Sequence, residues 1–181
     1  MSGRLVILSG PSGVGKDSVL DRWKTADPRV VRVVAYCTRA PRSGEVDGVD
    51  YHFVTRQQFM AKAEAGDFLE YKEVHGNLYA TPLKDMEALL ADGRIAVLKI
   101  DVHGALSVME KRDDAISIFL LAPSAEELER RIRKRGTDDE STIQKRLKNA
   151  RDEIALSDRY QHRVVNDDLD RAVAEIMEIV R

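Results

Sequence analysis

Residues 5–18 read LVILSGPSGVGKDS, an apolar run that leads into a glycine-rich turn and a lysine. The run at 5–8 is short and apolar on both faces, which predicts a buried parallel strand. Residues 10–16 fit the phosphate-loop frame GxxxxGK, and a helical pattern begins at Lys16. A strand, a glycine-rich loop and a helix in this order predict a phosphate-binding loop at the end of a parallel strand.

The loop predicts an ATP site. Its glycines let backbone N–H groups curl around phosphates without a Cβ in the way, and the following helix adds a positive dipole end. Lys16 is placed to reach the β- and γ-phosphates and to follow charge into the transition state. The candidate ATP-binding residues are Gly10, Ser12, Gly13, Val14, Gly15, Lys16, Asp17 and Ser18.

The residue after Lys16 departs from the usual pattern. That position normally carries a Ser or Thr whose hydroxyl ligates Mg²⁺, whereas this chain has Asp17 and then Ser18. Asp17 is either a ligand of the metal or of a metal-bound water, or a favourable acid in the first helical turn. The predicted cofactors are therefore ATP, as co-substrate, and Mg²⁺, with Asp17 as the candidate metal ligand.

Apolar strands alternate with helical patterns along the 181 residues, which predicts an α/β domain around a central parallel sheet. Two segments break the alternation: residues 31–82 are rich in short strands, and residues 122–158 are highly charged. We expect both to be inserts on a core of residues 1–30, 83–121 and 159–181. Thr81 and Pro82 predict the start of a helix, with Thr81 as its N-cap.

The composition is that of an ordinary globular chain, with 43% hydrophobic and 33% charged residues. A net charge of -2 argues against a general affinity for nucleic acid or an anionic membrane. The single cysteine, Cys37, excludes an intrachain disulfide and fits a reducing compartment. Without a signal pattern or a membrane-length apolar stretch, the expectation is a cytoplasmic protein with no membrane or nucleic-acid partner.

Several segments resemble the guanylate kinase family, in its order and at its spacing. They are residues 10–16, TRAPRSGEVDGVDY at 38–51, FLEY at 68–71, GNLY at 76–79, RGT at 135–137 and VNDD at 165–168. The resemblance covers nearly the whole chain, and the arginine-rich element is far more specific than a phosphate loop. It implies a three-layer P-loop kinase fold with a small mixed-strand GMP-binding insert at 31–82 and a helical lid at 122–158. The implied reaction is transfer of the γ-phosphate of ATP to GMP and dGMP.

By position in these motifs, Arg39, Arg42, Tyr51 and Tyr79 would hold the GMP phosphate. The residue types suit that role, since arginines make bidentate charge-assisted contacts and phenols add neutral donors. Solvated loop charges and tyrosine packing are the simpler interpretation of each residue alone. The four together, beside a phosphate loop, favour the substrate role.

Glu70 would read guanine, because a carboxylate accepts hydrogen bonds from both N1–H and N2–H₂, a donor pair that adenine lacks. A surface acid at a strand edge is the alternative. The family places a hydroxyl near the guanine O6, and Thr81 matches that position. GMP and ATP are therefore the predicted partners, and a homo-oligomer is the only protein association left open.

The resemblance also implies that three lid arginines, Arg131, Arg135 and Arg146, close over the transferring phosphate and stabilise its spread charge. A solvated helix laced with salt bridges is the alternative. Asn166 matches the position that contacts adenine, and capping of the next helix is its simpler role.

Three positions depart from the family pattern. Ala35 stands where a serine commonly helps to read guanine, and Ala80 replaces a glycine. Lys99 replaces the first acid of a sheet strand, leaving Asp101, which we count among the substrate-binding residues. The family has a small or hydroxyl residue after the loop lysine and an acid on the strand, whereas this chain has an acid at Asp17 and a base at Lys99, so the two side chains are expected to pair.

These departures leave two other functions open. Residues 15–18 and 36–39 resemble the ribose 1,5-bisphosphate phosphokinases, which share the fold and need no guanine reader. Glu70, Thr81 and the intact 44–48 loop favour GMP. Some guanylate-kinase-like domains bind phosphoproteins without catalysis, but decay of the ATP site would then be expected, and the loop residues here are intact.

Overall fold

The fold is described from a computed structural model that covers residues 2–136 and 138–181. Thr137, the last residue of the RGT segment, lies outside the described residues. The strands are β1 (Arg4–Ser9), β2 (Val30–Arg32), β3 (Tyr36–Cys37), β4 (His52–Phe53), β5 (Phe68–Val74), β6 (Asn77–Pro82), β7 (Ile95–Lys99), β8 (Ile116–Leu121) and β9 (His162–Val165). The helices are α1 (Lys16–Ala26), α2 (Arg56–Glu64), α3 (Leu83–Ala91), α4 (Val102–Lys111), α5 (Ala125–Lys134), α6 (Glu140–Ile154) and α7 (Leu169–Val180). Within these ranges, no helix combines the length and apolarity needed to cross a bilayer.

The central sheet is parallel and has the order β2-β7-β1-β8-β9. Strand β1 lies in its middle, and its alternate side chains serve two separate cores. Val6 and Leu8 pack in the core with α1 and α7, whereas Leu5 and Ile7 pack in the core with α3 and α4. A sheet buried on both faces needs apolar residues at every position of its strands. The predicted three-layer α/β fold is confirmed.

A second, mixed sheet has the order β4-β3-β6-β5. Its antiparallel pairs are β3 with β6 and β5 with β6, while β3 and β4 run parallel. Phe59 of α2 packs on it with Leu78 and Ala80 in a small core of its own. The expected insert boundary at residue 31 falls inside β2, and β2 pairs with β7 in the central sheet.

The expected helix start at Thr81 is wrong. Strand β6 continues through Pro82, which becomes the N-cap, and α3 begins at Leu83. Thr81 lies opposite Glu70 in the β5–β6 ladder and is buried, so its hydroxyl serves the neighbouring strand rather than a helix end. Helix α4 was not predicted. It begins directly after Asp101, whose Oδ1 accepts a hydrogen bond from the Gly104 N–H at 2.9 Å.

Candidate functional site

A cavity of about 410 Å³ lies between the phosphate loop, the mixed sheet and the carboxyl end of β7. Crevices at the carboxyl ends of parallel strands are the usual ligand sites of open α/β sheets. Most predicted site residues line it. They are Gly10, Ser12, Gly13, Gly15, Lys16, Asp17, Ser18, Arg39, Arg42, Tyr51, Glu70, Tyr79, Asp101 and Arg135.

The loop conformation depends on its glycines. Gly15 has a φ of 98°, in the left-handed region, and a Cβ there would lie 2.6 Å from the Asn166 Nδ2 atom. The Lys16 ammonium donates to the carbonyls of Gly10 and, at 3.1 Å, Pro11. Burial lowers the pKa of Lys16 to about 8, with the nearby Lys99 ammonium adding to the effect and Glu153 opposing it. The lysine is thus held against the loop that it is predicted to serve.

Two predicted residues lie behind the loop and outside the cavity lining. Asn166 is buried, and its Nδ2 donates to the Val14 carbonyl at 2.9 Å. Arg131 donates to the same Val14 carbonyl at 3.3 Å, to the Asn166 carbonyl at 3.0 Å and to Glu127 at 2.8 Å. This arrangement supports the loop from behind. Neither side chain is part of the cavity lining, and the adenine contact expected of Asn166 and the phosphate contact expected of Arg131 stay predictions.

Of the three arginines expected in the lid, only Arg135 lines the cavity. It follows directly after the end of α5. Arg146 of α6 pairs with Asp138 at 3.1 Å, away from the lining. Arg135 therefore lines the cavity, Arg131 contacts the phosphate loop from behind, and Arg146 pairs with an acid of its own segment.

On the opposite wall, Arg39 forms a bidentate pair with Glu45 in which both N–O distances are 2.7 Å. The Arg42 N–H also donates to Glu45 at 2.7 Å. These contacts, led by the Arg39 guanidinium, lower the pKa of Glu45 to about 2. The Arg39 guanidinium lies 5.1 Å from the centroid of the Tyr51 ring, and the Tyr51 and Tyr79 ring centroids are 5.9 Å apart. Glu45, which the motif contained without an assigned role, orients the arginine.

Deeper in the cavity, Glu70 is buried, and its Oε1 accepts a hydrogen bond from the Thr81 hydroxyl at 3.0 Å. Its Oε2 is buried with no hydrogen-bond partner among the described residues. Burial, helped by the charge of Asp101, raises the pKa of Glu70 to about 7, against a smaller opposing effect of the Thr81 bond. A buried acid with an unused acceptor has capacity for a ligand that donates.

The expected pairing of Asp17 and Lys99 is present, since the Lys99 ammonium donates to Asp17 Oδ1. Asp17 Oδ2 makes no hydrogen bond within the described ranges, and the Asp17 side chain is 69% exposed. Mg²⁺ in phosphate sites commonly takes one or two carboxylates and otherwise keeps phosphate and water ligands. One available carboxylate oxygen beside the phosphate loop therefore fits such an ion.

Four lining residues were missed by the sequence reasoning: Lys72, Val74, Ile100 and Glu153. Lys72 and Val74 follow Glu70 at intervals of two along β5, and this alternation places all three on one face of the strand. That signal was present in the sequence. Glu153 comes from α6, far along the chain, and no local pattern marks it.

Comparison with known proteins agrees with this geometry. Residues 2–181 match a family model described as guanylate kinase. The chain is 47% identical to the guanylate kinase of Nitratidesulfovibrio vulgaris over 97% of its own length and 84% of that protein. It is 45% identical to that of Rubrobacter xylanophilus, covering 99% of this chain and 94% of the relative. The crystal structure of guanylate kinase from Anaplasma phagocytophilum is similar at 35% identity, with a TM-score of 0.79 over 99% of this chain and 85% of that one.

Proposed function

This chain belongs to the guanylate kinase family, and from that premise we propose that it transfers the γ-phosphate of ATP to GMP, giving ADP and GDP. The observation that supports GMP as the acceptor is the buried Glu70 carboxylate, which lines the same cavity as the phosphate loop. Guanine offers N1–H and N2–H₂ to such an acceptor. Adenine would leave the acid unpaired, which is costly in a buried site.

One wall of the cavity is proposed to bind GMP, and the phosphate loop on the other side is proposed to bind ATP. Arg39 and Arg42, with the phenols of Tyr51 and Tyr79, are proposed to bind the GMP phosphate. Glu70 and Thr81 are proposed to bind the base, with Asp101 nearby. The loop residues, Lys16 first among them, bind the ATP phosphates. None of these roles requires a ribose 2′-hydroxyl, so dGMP is expected to be accepted too.

The acceptor is already a phosphate anion, so the reaction needs no general base. Catalysis comes from holding the two phosphates in line and from stabilising the charge that spreads over the transferred group. Lys16 and Arg135, which both line the cavity, are proposed to stabilise this charge. Asp17 is the residue proposed to hold Mg²⁺, which would supply positive charge to the ATP phosphates.

Residues 31–82 and 122–158 are proposed to act as a GMP-binding insert and a lid that close on the substrates. Closure would exclude water, which could otherwise accept the phosphate. It would also have to bring Arg131 and Arg146 from their present contacts toward the phosphates. We place the reaction in the cytoplasm, where ATP and GMP are available. The single cysteine, Cys37, is buried and is compatible with that location.

The two other functions are not favoured. The relatives at 45–47% identity carry the name guanylate kinase over nearly the full chain. A ribose bisphosphate kinase would have no use for a buried acid that accepts hydrogen bonds in its acceptor subsite. A non-catalytic binding domain would have no use for an intact phosphate loop with Lys16 held in it.

The test is ADP release from MgATP by the purified protein, with GMP, dGMP, AMP and ribose 1,5-bisphosphate offered separately. Turnover with GMP and dGMP, and little with the other two acceptors, is the expected result. Turnover with the sugar bisphosphate, or ATP binding without any turnover, would overturn the assignment. A Lys16→Met variant controls for contaminating kinases, because it lacks the charge that follows the transferred phosphate.

A further inference from the structure

The pair formed by Lys99 and Asp17 occupies a place where the mechanism above has no use for a lysine. Lys99 is the last residue of β7 and lies opposite Leu8 of β1, so it stands beside the start of the phosphate loop. Its partner Asp17 is in the first turn of α1, 82 residues away in sequence. Both line the cavity. The Lys99 side chain is only 14% exposed, whereas that of Asp17 is 69% exposed.

This burial difference matters for the lysine. An ammonium that has lost most of its water needs anionic partners, and an ammonium has three N–H donors. One donor is directed at Asp17, which leaves donor capacity facing a cavity shaped for phosphates. An exposed carboxylate alone is a weak reason to bury a lysine, because partly exposed ion pairs contribute little to stability.

The charged side chains that line the cavity also favour an anionic ligand beside Lys99. The cationic side chains that line the cavity are those of Lys16, Arg39, Arg42, Lys72, Lys99 and Arg135. The acids that line it are Asp17, Glu70, Asp101 and Glu153. Lys99 lines the cavity at the end of β7, with β1 and the phosphate loop that follows it on one side. Strand β2 lies on the other side, where Arg32 is in register with Val97, two residues before Lys99.

We propose that Lys99 is a phosphate-binding residue at the junction of the ATP and GMP phosphates, and that Asp17 is a positioning residue that holds its ammonium there. This inference rests on the proposed function. In the family pattern, a hydroxyl follows the loop lysine and an acid ends this strand, a pair with a net charge of -1. Here the pair is neutral, so one more positive charge is available to the phosphates from the protein itself.

The decisive measurement is the affinity for ATP without a divalent cation, in EDTA, by calorimetry. Lys99→Met keeps the apolar stem and removes the charge, and the exposed Asp17 that it leaves behind remains solvated. We expect the Kd for metal-free ATP to rise about tenfold, the effect of losing one charge-assisted hydrogen bond. Lys99→Arg, which restores a cation, should recover most of the affinity. A Kd within twofold of wild type for Lys99→Met would overturn the proposal.

Addition of Mg²⁺ provides a second readout. Because Mg²⁺ neutralises phosphate charge, it should strengthen ATP binding by a larger factor in Lys99→Met than in wild type. An equal factor in the two proteins would mean that Lys99 does not interact with the phosphates.

The role of Asp17 is tested by a double-mutant cycle with Asp17→Asn, using the same metal-free Kd. If Asp17 positions Lys99, the loss caused by Lys99→Met should be several-fold smaller when Asp17 is already replaced. Changes in Kd that multiply independently would show that Asp17 does not act through Lys99. A matched control is Lys148→Met with Asp152→Asn, an exposed lysine–carboxylate pair on α6 with an N–O distance of 3.9 Å. It should leave the Kd unchanged.

Failure of this inference and failure of the proposed function are distinguishable. If wild type binds ATP but does not phosphorylate GMP, the proposed function fails, and a raised Kd in Lys99→Met still supports Lys99 as a phosphate ligand. If wild type turns over GMP and Lys99→Met binds metal-free ATP as wild type does, the inference fails and the function stands.

Discussion

At the scale of single residues, Glu70 decides which base the cavity accepts. Replacement by Gln keeps the shape and one acceptor but substitutes an N–H₂ group for the second oxygen. We expect kcat/KM for GMP to fall about 100-fold or more, because one charge-assisted bond is lost and one repulsive contact is gained. Glu73→Gln, on an exposed part of the same strand, is the matched control and should change little. Unchanged GMP kinetics in Glu70→Gln would remove Glu70 as the base reader.

The same residue predicts how stability depends on pH. Burial raises the pKa of Glu70 from 4.5 to about 7, so the folded chain holds this proton more tightly than the unfolded chain. Stability from this group is therefore complete below pH 4.5 and is lost as the pH rises through about 7, by up to about 3 kcal/mol. Glu70→Gln should remove this loss and raise Tm at pH 8 by about 3 °C or more relative to wild type.

The control for that measurement is again Glu73→Gln, compared with wild type by thermal unfolding at pH 5 and pH 8. The gain of Glu70→Gln over wild type should be larger at pH 8 than at pH 5. A gain that is equal at both values would show that Glu70 titrates normally in the folded chain.

At the scale of elements, the loop between β3 and β4 is organised by the Glu45 carboxylate. Glu45 holds the Arg39 guanidinium by two bonds and the Arg42 backbone by a third. Glu45→Gln should leave the fold intact and raise KM for GMP about tenfold, since the arginine loses its bidentate partner. KM for ATP should remain the same. A parallel rise in both KM values would show that Glu45 acts on the whole cavity rather than on the GMP side.

The conformation of the phosphate loop depends on Asn166, which follows the carboxyl end of β9. Asn166→Ala removes the donor to the Val14 carbonyl and opens space behind Gly15. We expect a loss of about 1–3 kcal/mol in the free energy of unfolding and a KM for ATP that rises more than the KM for GMP. Asp167→Ala, at the next and exposed position, is the control. Denaturant titration and initial-rate kinetics measure both effects, and a larger rise for GMP would contradict this role.

The elements also show where sequence reasoning succeeds and where it stops. The phosphate loop after β1 was predictable because the apolar run, the regularly spaced glycines and the lysine follow one another directly in the chain. Thr-Pro is a good local helix start and predicts a helix from Thr81, but the pairing of β6 with β5 overrides that preference. Helix α4 went unpredicted although Asp101 caps it.

At the scale of the whole molecule, the parallel central sheet could be anticipated from the alternation of strands and helices, whereas its strand order and the long-range contacts could not. The pairing of Asp17 with Lys99 was foreseeable only because the two departures have opposite charges. The positions of Arg131 and Asn166 behind the loop depend on how α5 and β9 pack, which no local pattern encodes. Glu153 reaches the cavity for the same reason and was missed.

The packing of the lid segment leads to a prediction about the whole chain. Arg146 is paired with Asp138, away from the cavity, so a catalytic role requires that contact to break as the segment closes. Simultaneous binding of both nucleotides, or of one ligand that links adenosine to guanosine through phosphates, should reduce the radius of gyration in X-ray scattering. It should also slow amide exchange in α6.

Arg146→Met should lower kcat by about tenfold or more while the protein still binds each nucleotide, because the arginine stabilises charge only in the closed transition state. Lys145→Met, the neighbouring and exposed cation, is the matched control. Equal kcat values for Arg146→Met and the control would contradict a catalytic role for Arg146. Closure of α6 over the cavity would then serve only to exclude water.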